Sequence, residues 1–287
     1  MAKVFLVTGS SRGLGRHIVE VAIAAGHRVV ATARASQHSA DLVAEYGAAI
    51  RPVALDVTDP AAADAAVAAA LETFGQLDVV VNNAGYANLA SVEDITLADF
   101  RAQIETNLLG VVIVTKAALP VLREQGAGHI VNVSSLGGRV ASVGLSAYQA
   151  AKWAVGGFSE VLAQEVGPLG IKVTVLEPGG MRTDWAGSSM SVPPISEPYR
   201  PTVGAFADLI HHADTAASDP ARVAQVVLDV TELTEPPLRL LLGSDAVNYA
   251  AAAERARADA DARWRSLSLS TDRDDATDAH LDPLGRA

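Results

Sequence analysis

Tyr148 and Lys152 stand four residues apart in a helix-forming stretch, and Ser135 lies thirteen residues before the tyrosine. On a helix, side chains at i and i+4 share a face, so a phenol and an ammonium would lie together. A nearby cation favours the phenolate and should draw the phenol below its ordinary pKa of about 10. Such a tyrosine can act as a proton donor near neutral pH, and a positioned donor contributes roughly 100- to 10,000-fold in rate. These residues predict an enzyme.

A second group sits near the N-terminus, in Thr8-Gly9-Ser10-Ser11-Arg12-Gly13-Leu14-Gly15. It follows a strand-like run and opens a helix-like one. Glycines there allow a tight turn and a close approach to a pyrophosphate, whose charge then meets the helix N-terminus. The pattern is Gly-x-x-x-Gly-x-Gly rather than the commoner Gly-x-Gly-x-x-Gly, and glycines taken alone also serve as plain turns. NAD sites usually place an acid about 20 residues onward, on the ribose 2′-hydroxyl. Here the second strand ends Ala31-Thr32-Ala33-Arg34 without one. Arg34 offers a planar fork to a 2′-phosphate, and Arg12 could reach the same group. Two charge-assisted bonds of roughly 1.5–3 kcal/mol each would favour NADP over NAD by about 100-fold or more. Taken singly, either arginine is an ordinary surface charge.

These groups need a scaffold, and the rest of the chain supplies one. Short β-branched runs at 4–8, 29–33, 51–55, 79–82, 130–134, 172–176 and 238–242 alternate with helical patterns such as 14–25, 61–74, 100–125 and 147–166. Strands that are nearly continuous in apolar character are buried on both faces. The alternation predicts an α/β fold: a Rossmann-type, doubly wound parallel sheet of about seven strands in one domain, with helices on both faces. Two regions break the rhythm. Residues 183–212 carry Pro193, Pro194, Pro198 and Pro201 together with Trp185, Met190 and Tyr199. A loop of that length is usually a lid, a binding loop or disordered. After residue 245 come a charged, alanine-rich helix at 246–265 and an acidic, solvated tail at 266–287.

Thr8–Gly15, Asn82-Asn83-Ala84-Gly85, Asn107, Ser135, Tyr148-x-x-x-Lys152 and Pro178-Gly179 stand in one order and spacing. Together they resemble the short-chain dehydrogenase/reductase family over roughly residues 3–245. The Tyr148–Lys152 neighbourhood and the long loop after Thr183 look most like its 17β-hydroxysteroid dehydrogenase-like branch. The resemblance implies NADP(H)-dependent interconversion of a ketone or aldehyde with a secondary alcohol. Tyr148 would be the general acid or base, Lys152 would lower its pKa and bond the nicotinamide ribose, and Ser135 would bond the substrate oxygen. Asn107 would anchor a water linking Lys152 to bulk. Gly9, Ser11, Arg12, Gly13, Leu14 and Gly15 would cradle the dinucleotide, with Arg34 on its 2′-phosphate. Asp56 and Val57 would meet adenine, and Asn83, Ala84 and Gly85 the adenosine ribose. Pro178, Gly179, Met181 and Thr183 would flank the nicotinamide. Family members commonly form homodimers or homotetramers through helices matching 100–125 and 147–166.

Other classes fare worse. With 33 acidic against 22 basic residues and a formal charge of −11, a nucleic-acid or anionic-membrane partner is not expected. There are no cysteines, so disulfides and thiolate metal sites are impossible. The seven histidines show no zinc-ligand spacing. The N-terminus lacks a signal-peptide pattern, and no uncharged apolar run spans a bilayer. A cytoplasmic enzyme acting on a bulky, apolar carbonyl or alcohol is the expectation. A catalytically silent NADP-binding regulator need not keep the acid, lysine and serine together. A sugar-nucleotide epimerase would generally need a larger C-terminal domain.

Overall fold

Among the described residues, seven parallel strands form one sheet in the order β3-β2-β1-β4-β5-β6-β7. The computed structural model describes residues 2–35, 40–183, 190–212 and 216–285. Its elements are β1 (Val4–Val7), α1 (Gly13–Ala24), β2 (Arg28–Ala33), α2 (Ala40–Tyr46), β3 (Ile50–Ala54), α3 (Pro60–Phe74) and β4 (Val79–Asn82). Then come α4 (Leu97–Ile104), α5 (Gly110–Gln125), β5 (Gly128–Val133), α6 (Ser146–Val166) and β6 (Ile171–Pro178). The chain closes with α7 (Ala205–His212), α8 (Pro220–Glu232), β7 (Arg239–Leu242), α9 (Ser244–Leu269) and α10 (Asp278–Leu281). All seven strands read from the sequence are present. The helix expected at 246–265 runs further at both ends, and α2, α7 and α8 add to the helices picked out above.

Alternation along each strand sends side chains to opposite faces, and each face has its own core. Phe5, Val7, Val29, Ala31, Val79, Val81 and Val131 pack under α1 and α8. Leu6, Val30, Val80 and Ile130 pack under α3, α5 and α6. Helix α3 shows the local logic: Asp59 caps its N-terminus by accepting from the Ala61 and Ala62 N–H groups, Pro60 opens it, and Gly75 ends it in the left-handed region. By composition, Leu97–Gln125 contains a window long and apolar enough to cross a membrane. In the fold its Val114, Ala118 and Leu122 lie against the sheet.

Strand order reverses between β1 and β4, where the Thr8 N–H bonds the Val81 carbonyl at 3.0 Å. In such sheets the crevice at the carboxyl ends of the strands is the place for a ligand. The glycine turn leaves β1 there, and Asn83 leaves β4.

One buried group away from that crevice sets a pH dependence. His129 on β5 bonds through Nε2 to Thr174 Oγ1 at 2.9 Å, while the Thr174 hydroxyl donates to the Pro237 carbonyl. The threonine oxygen therefore accepts, and the imidazole carries its proton on Nε2. Burial pushes His129 down from 6.5 to about 4. Between those values the unfolded chain binds the extra proton, so the stabilisation is complete above about pH 6.5 and lost as pH falls towards 4. Lowering the pH from 7 to 5 should cost about 2 kcal/mol of unfolding free energy through this residue. Urea titrations of the wild type and His129→Gln at both pH values check it, the variant losing less by that amount.

Candidate active site

Strand β5 ends at Val133, and the chain turns sharply at Ser134 and Ser135. The Ser135 hydroxyl accepts from the Gly137 N–H at 2.9 Å, capping the short turn Leu136–Gly138. Helix α6 then runs back past the strand end and buries Tyr148 and Lys152 on one face. Gly138 allows this close approach, since a Cβ there would lie 2.9 Å from both the Lys152 carbonyl and Ser134 Oγ. Ser134 itself donates to the Lys152 carbonyl at 3.0 Å. The Tyr148 phenol hydrogen-bonds Ser135. Lys152 Nζ donates to the Val133 carbonyl at 2.8 Å and sits 5.7 Å from the centre of the Tyr148 ring. Acid, serine and lysine are thus brought together.

The electrostatics correct the expectation of a depressed phenol. Burial pushes Tyr148 up to about 12, and the bond from Ser135 only partly opposes it. Burial also pushes Lys152 down to about 8. The reason is the surroundings: Tyr148 belongs to an apolar cluster with Ala87, Leu89, Leu145, Met190, Val203 and Ala207. Desolvation of the phenolate outweighs a cation whose head group is spent on a carbonyl.

Asn107 sits in a π-type turn, Glu105–Leu109, between α4 and α5. Such turns often mark functional sites. Fully buried, it donates to the Tyr86 and Gln103 carbonyls at 2.8 and 2.9 Å, and its Oδ1 accepts from the Tyr86 N–H at 3.1 Å. A Cβ on Gly85 would lie 2.5 Å from Asn107 Oδ1 and 3.6 Å from Lys152 Nζ. The missing side chain is what lets the Asn107 amide pack this closely against the turn after β4.

At the other end of the crevice the two turns are stitched together. Thr8 Oγ1 accepts from the N–H groups of Asn83 and Ala84, both at 2.9 Å, and Asn83 Nδ2 donates to the Thr8 and Gly9 carbonyls. Gly9 has φ +65°, and its Cβ would come within 2.8 Å of the Ala84 Cα. A Cβ on Gly15 would collide with the Gly9 carbonyl. Arg12 caps α1 without a side-chain bond, and no acid occupies the first turn. These open N–H groups, with a backbone that tolerates no side chains, fit a pyrophosphate. Arg12 and Arg34 are exposed at this end.

The remaining expected cofactor residues divide. Asp56 is exposed and accepts from the Thr58 N–H and hydroxyl at 3.0 and 2.8 Å, with Arg34 near enough to help hold its pKa below the usual value. Val57 is buried against Gly110. The Leu14 side chain packs into the core, so only its backbone faces the turn. Ser11 is half-buried there. Pro178 ends β6, and Thr183 lies beside Gly13, so the segment after β6 folds over the glycine turn. Met181 packs against the first core.

Trp185 lies outside the described residues. Tyr199, the other aromatic named in the 183–212 stretch, donates its hydroxyl to Glu93 at 2.8 Å and packs against the cluster around Tyr148. Thr8, Gln103 and the cluster residues Leu89, Leu145 and Val203 join the expected site residues here. Only Thr8 carried a usable signal, its place beside the glycines.

The family described as short chain dehydrogenase matches residues 3–192. A curated relative, "Oxidoreductase BOA17" of Botryotinia fuckeliana, is 57% identical over 273 residues, covering 94% of this chain and 100% of the relative. The 3-alpha-(or 20-beta)-hydroxysteroid dehydrogenase of Mycobacterium tuberculosis is 39% identical over 188 residues, covering 64% and 72%. Among solved structures, a short-chain dehydrogenase from Streptomyces avermitilis superposes with a TM-score of 0.89 at 38% identity, covering 95% of this chain and 100% of that one. An alcohol dehydrogenase from Thermococcus sibiricus, complexed with 5-hydroxy-NADP, gives 0.70 at 26%, covering 85% and 97%. A 3-ketoacyl-(acyl-carrier-protein) reductase from Brucella melitensis, complexed with NADH, gives 0.71 at 27%, covering 84% and 96%.

Proposed function

Since the chain belongs to the short chain dehydrogenase family of oxidoreductases, we propose that it uses NADP(H) to reduce an uncharged, bulky, apolar ketone to a secondary alcohol. The observation that carries this reading is the Tyr148 phenol, kept protonated by burial and bonded to Ser135 within an apolar cluster. When bound, the dinucleotide supplies or accepts the hydride. The glycine turn and the α1 N-terminus would hold its pyrophosphate, and Arg12 and Arg34 its 2′-phosphate.

The protein's own work is binding and proton movement. A carbonyl oxygen within reach of both hydroxyls would take the Tyr148 proton as negative charge grows on it, while Ser135 donates to the same atom. A phenol with a pKa of about 12 holds its proton until that charge develops. Lys152, with a pKa of about 8, is still mostly an ammonium at neutral pH. It can replenish the proton, with Asn107 Oδ1 anchoring a water that links it to bulk solvent. The hydroxysteroid substrate in the Mycobacterium relative's name and the apolar cluster around Tyr148 both support a bulky neutral substrate.

A panel of ketones tests the reading. Steroid and bicyclic aromatic ketones should be reduced with NADPH, and carboxylate-bearing analogues of the same size should have kcat/KM lower by about tenfold or more, because an unpaired charge is costly against apolar walls. Equal turnover of charged and neutral ketones would count against the assignment.

A further inference from the structure

The proposed chemistry needs two segments held still: the turn that carries Ser135 away from β5, and Gly179 and Gly180 just beyond β6. Helix α9 touches both. In its first turn, Asp245 Oδ2 accepts from the Gly180 N–H at 2.7 Å. The same carboxylate occupies the space a Cβ on Gly179 would need, so it lies directly on this turn.

Further along, α9 reaches the serine side. Arg139 closes the turn that Ser135 opens, its N–H bonding the Leu136 carbonyl at 2.8 Å. Glu254 of α9 pairs with the Arg139 guanidinium, and Arg257 donates to the Arg139 carbonyl at 2.9 Å. The Arg257 guanidinium also lies over Trp153, 5.4 Å from the ring centre, on the residue next to Lys152.

Beneath these contacts the two walls are joined by one carboxylate. Glu177 is fully buried and stands immediately before Pro178. Arg139 Nε meets its Oε2 at 2.7 Å, and Arg239 of β7 meets its Oε1 while also pairing with Glu160 of α6 at 2.7 Å. Buried ion pairs add little net stability, because desolvation offsets the attraction. What they do supply is geometry: fixed partners at fixed angles.

We propose that α9 is a positioning brace for the active site, with Asp245 setting the nicotinamide-side turn and Glu254 with Arg257 setting the Ser135 turn through Arg139. The role rests on the NADP(H) reading of the site above. None of these side chains is assigned to the reacting atoms; they act through the backbone they hold.

Steady-state kinetics on two variants separates a brace from ordinary packing. Asp245→Ala should raise the KM and Kd for NADPH about tenfold with little loss of kcat, as expected for one lost charge-assisted bond. Asp245→Asn keeps an oxygen for Gly180 and should restore most of the affinity. Glu254→Gln combined with Arg257→Met should lower kcat about tenfold, through misplacement of the serine, with KM for NADPH unchanged. If both variants only lower Tm, with kcat and KM of the folded fraction intact, the brace is wrong. Hydrogen exchange on the protein without nucleotide gives an independent readout. Gly180 should exchange faster in Asp245→Ala, and residues 136–140 faster in the double variant; unchanged exchange at both overturns the proposal. A wild type that fails to bind NADPH would instead sink the cofactor assignment, and the exchange result would still decide the brace.

Discussion

Replacing Tyr148 with phenylalanine should lower kcat by roughly 100- to 10,000-fold and leave NADPH affinity nearly unchanged. The ring stays: it packs with Leu145, Met190, Val203 and Ala207, contacts that phenylalanine keeps. What goes is one hydroxyl and its bond to Ser135, worth about 1 kcal/mol of stability. A modest drop in Tm is therefore compatible with a folded, nucleotide-binding, inactive enzyme. Fluorescence titration with NADPH and single-turnover reduction, run on the same preparation, measure the two quantities separately. Activity within tenfold of wild type would remove the proton-transfer mechanism, however well the nucleotide binds.

Replacing Arg12 and Arg34 together with leucine should bring the NADPH-to-NADH ratio of kcat/KM from about 100-fold or more down towards unity. The fold narrows the choice of arginines. Arg16 also lies on α1, but it is committed to Asp41 at 2.6 Å and Glu20 at 2.8 Å. Arg12 and Arg34 are exposed, and Arg34 sits close enough to Asp56 to help stabilise its carboxylate. That neighbour offsets part of the charge, so Arg34→Leu alone should give the smaller share of the change. Wild-type enzyme using both nucleotides equally would overturn the preference. A large preference that survives the double substitution would move the 2′-phosphate contact elsewhere.

The strands were legible because parallel strands covered on both faces read as short β-branched runs, as 79–82 does. The spacing of Tyr148 and Lys152 likewise placed both on one face of α6. It could not supply their protonation. That depends on Met190, Val203 and Ala207, which arrive from a segment more than forty residues later, and desolvation is a property of the assembled wall. Helix α7 was hidden by prolines read as breakers. Pro201 in fact sits in the first turn of Arg200–Gly204, where a missing N–H costs nothing. The structure puts Thr183 beside Gly13, a neighbour that spacing along the chain does not reveal.

The widened turn at Glu105–Leu109 has a bearing on how this chain can change. Its wider winding absorbs one surplus residue between α4 and α5 and presents Asn107 at that point. Removing one residue of the five would close the stretch into ordinary winding and re-aim the side chains it presents. Asn107 would then lose the aim by which it bonds both the Tyr86 carbonyl and the Tyr86 N–H. Substitutions along this stretch alter one side chain at a time, whereas a codon-length loss would redirect several together. Length here is therefore under tighter constraint than letters.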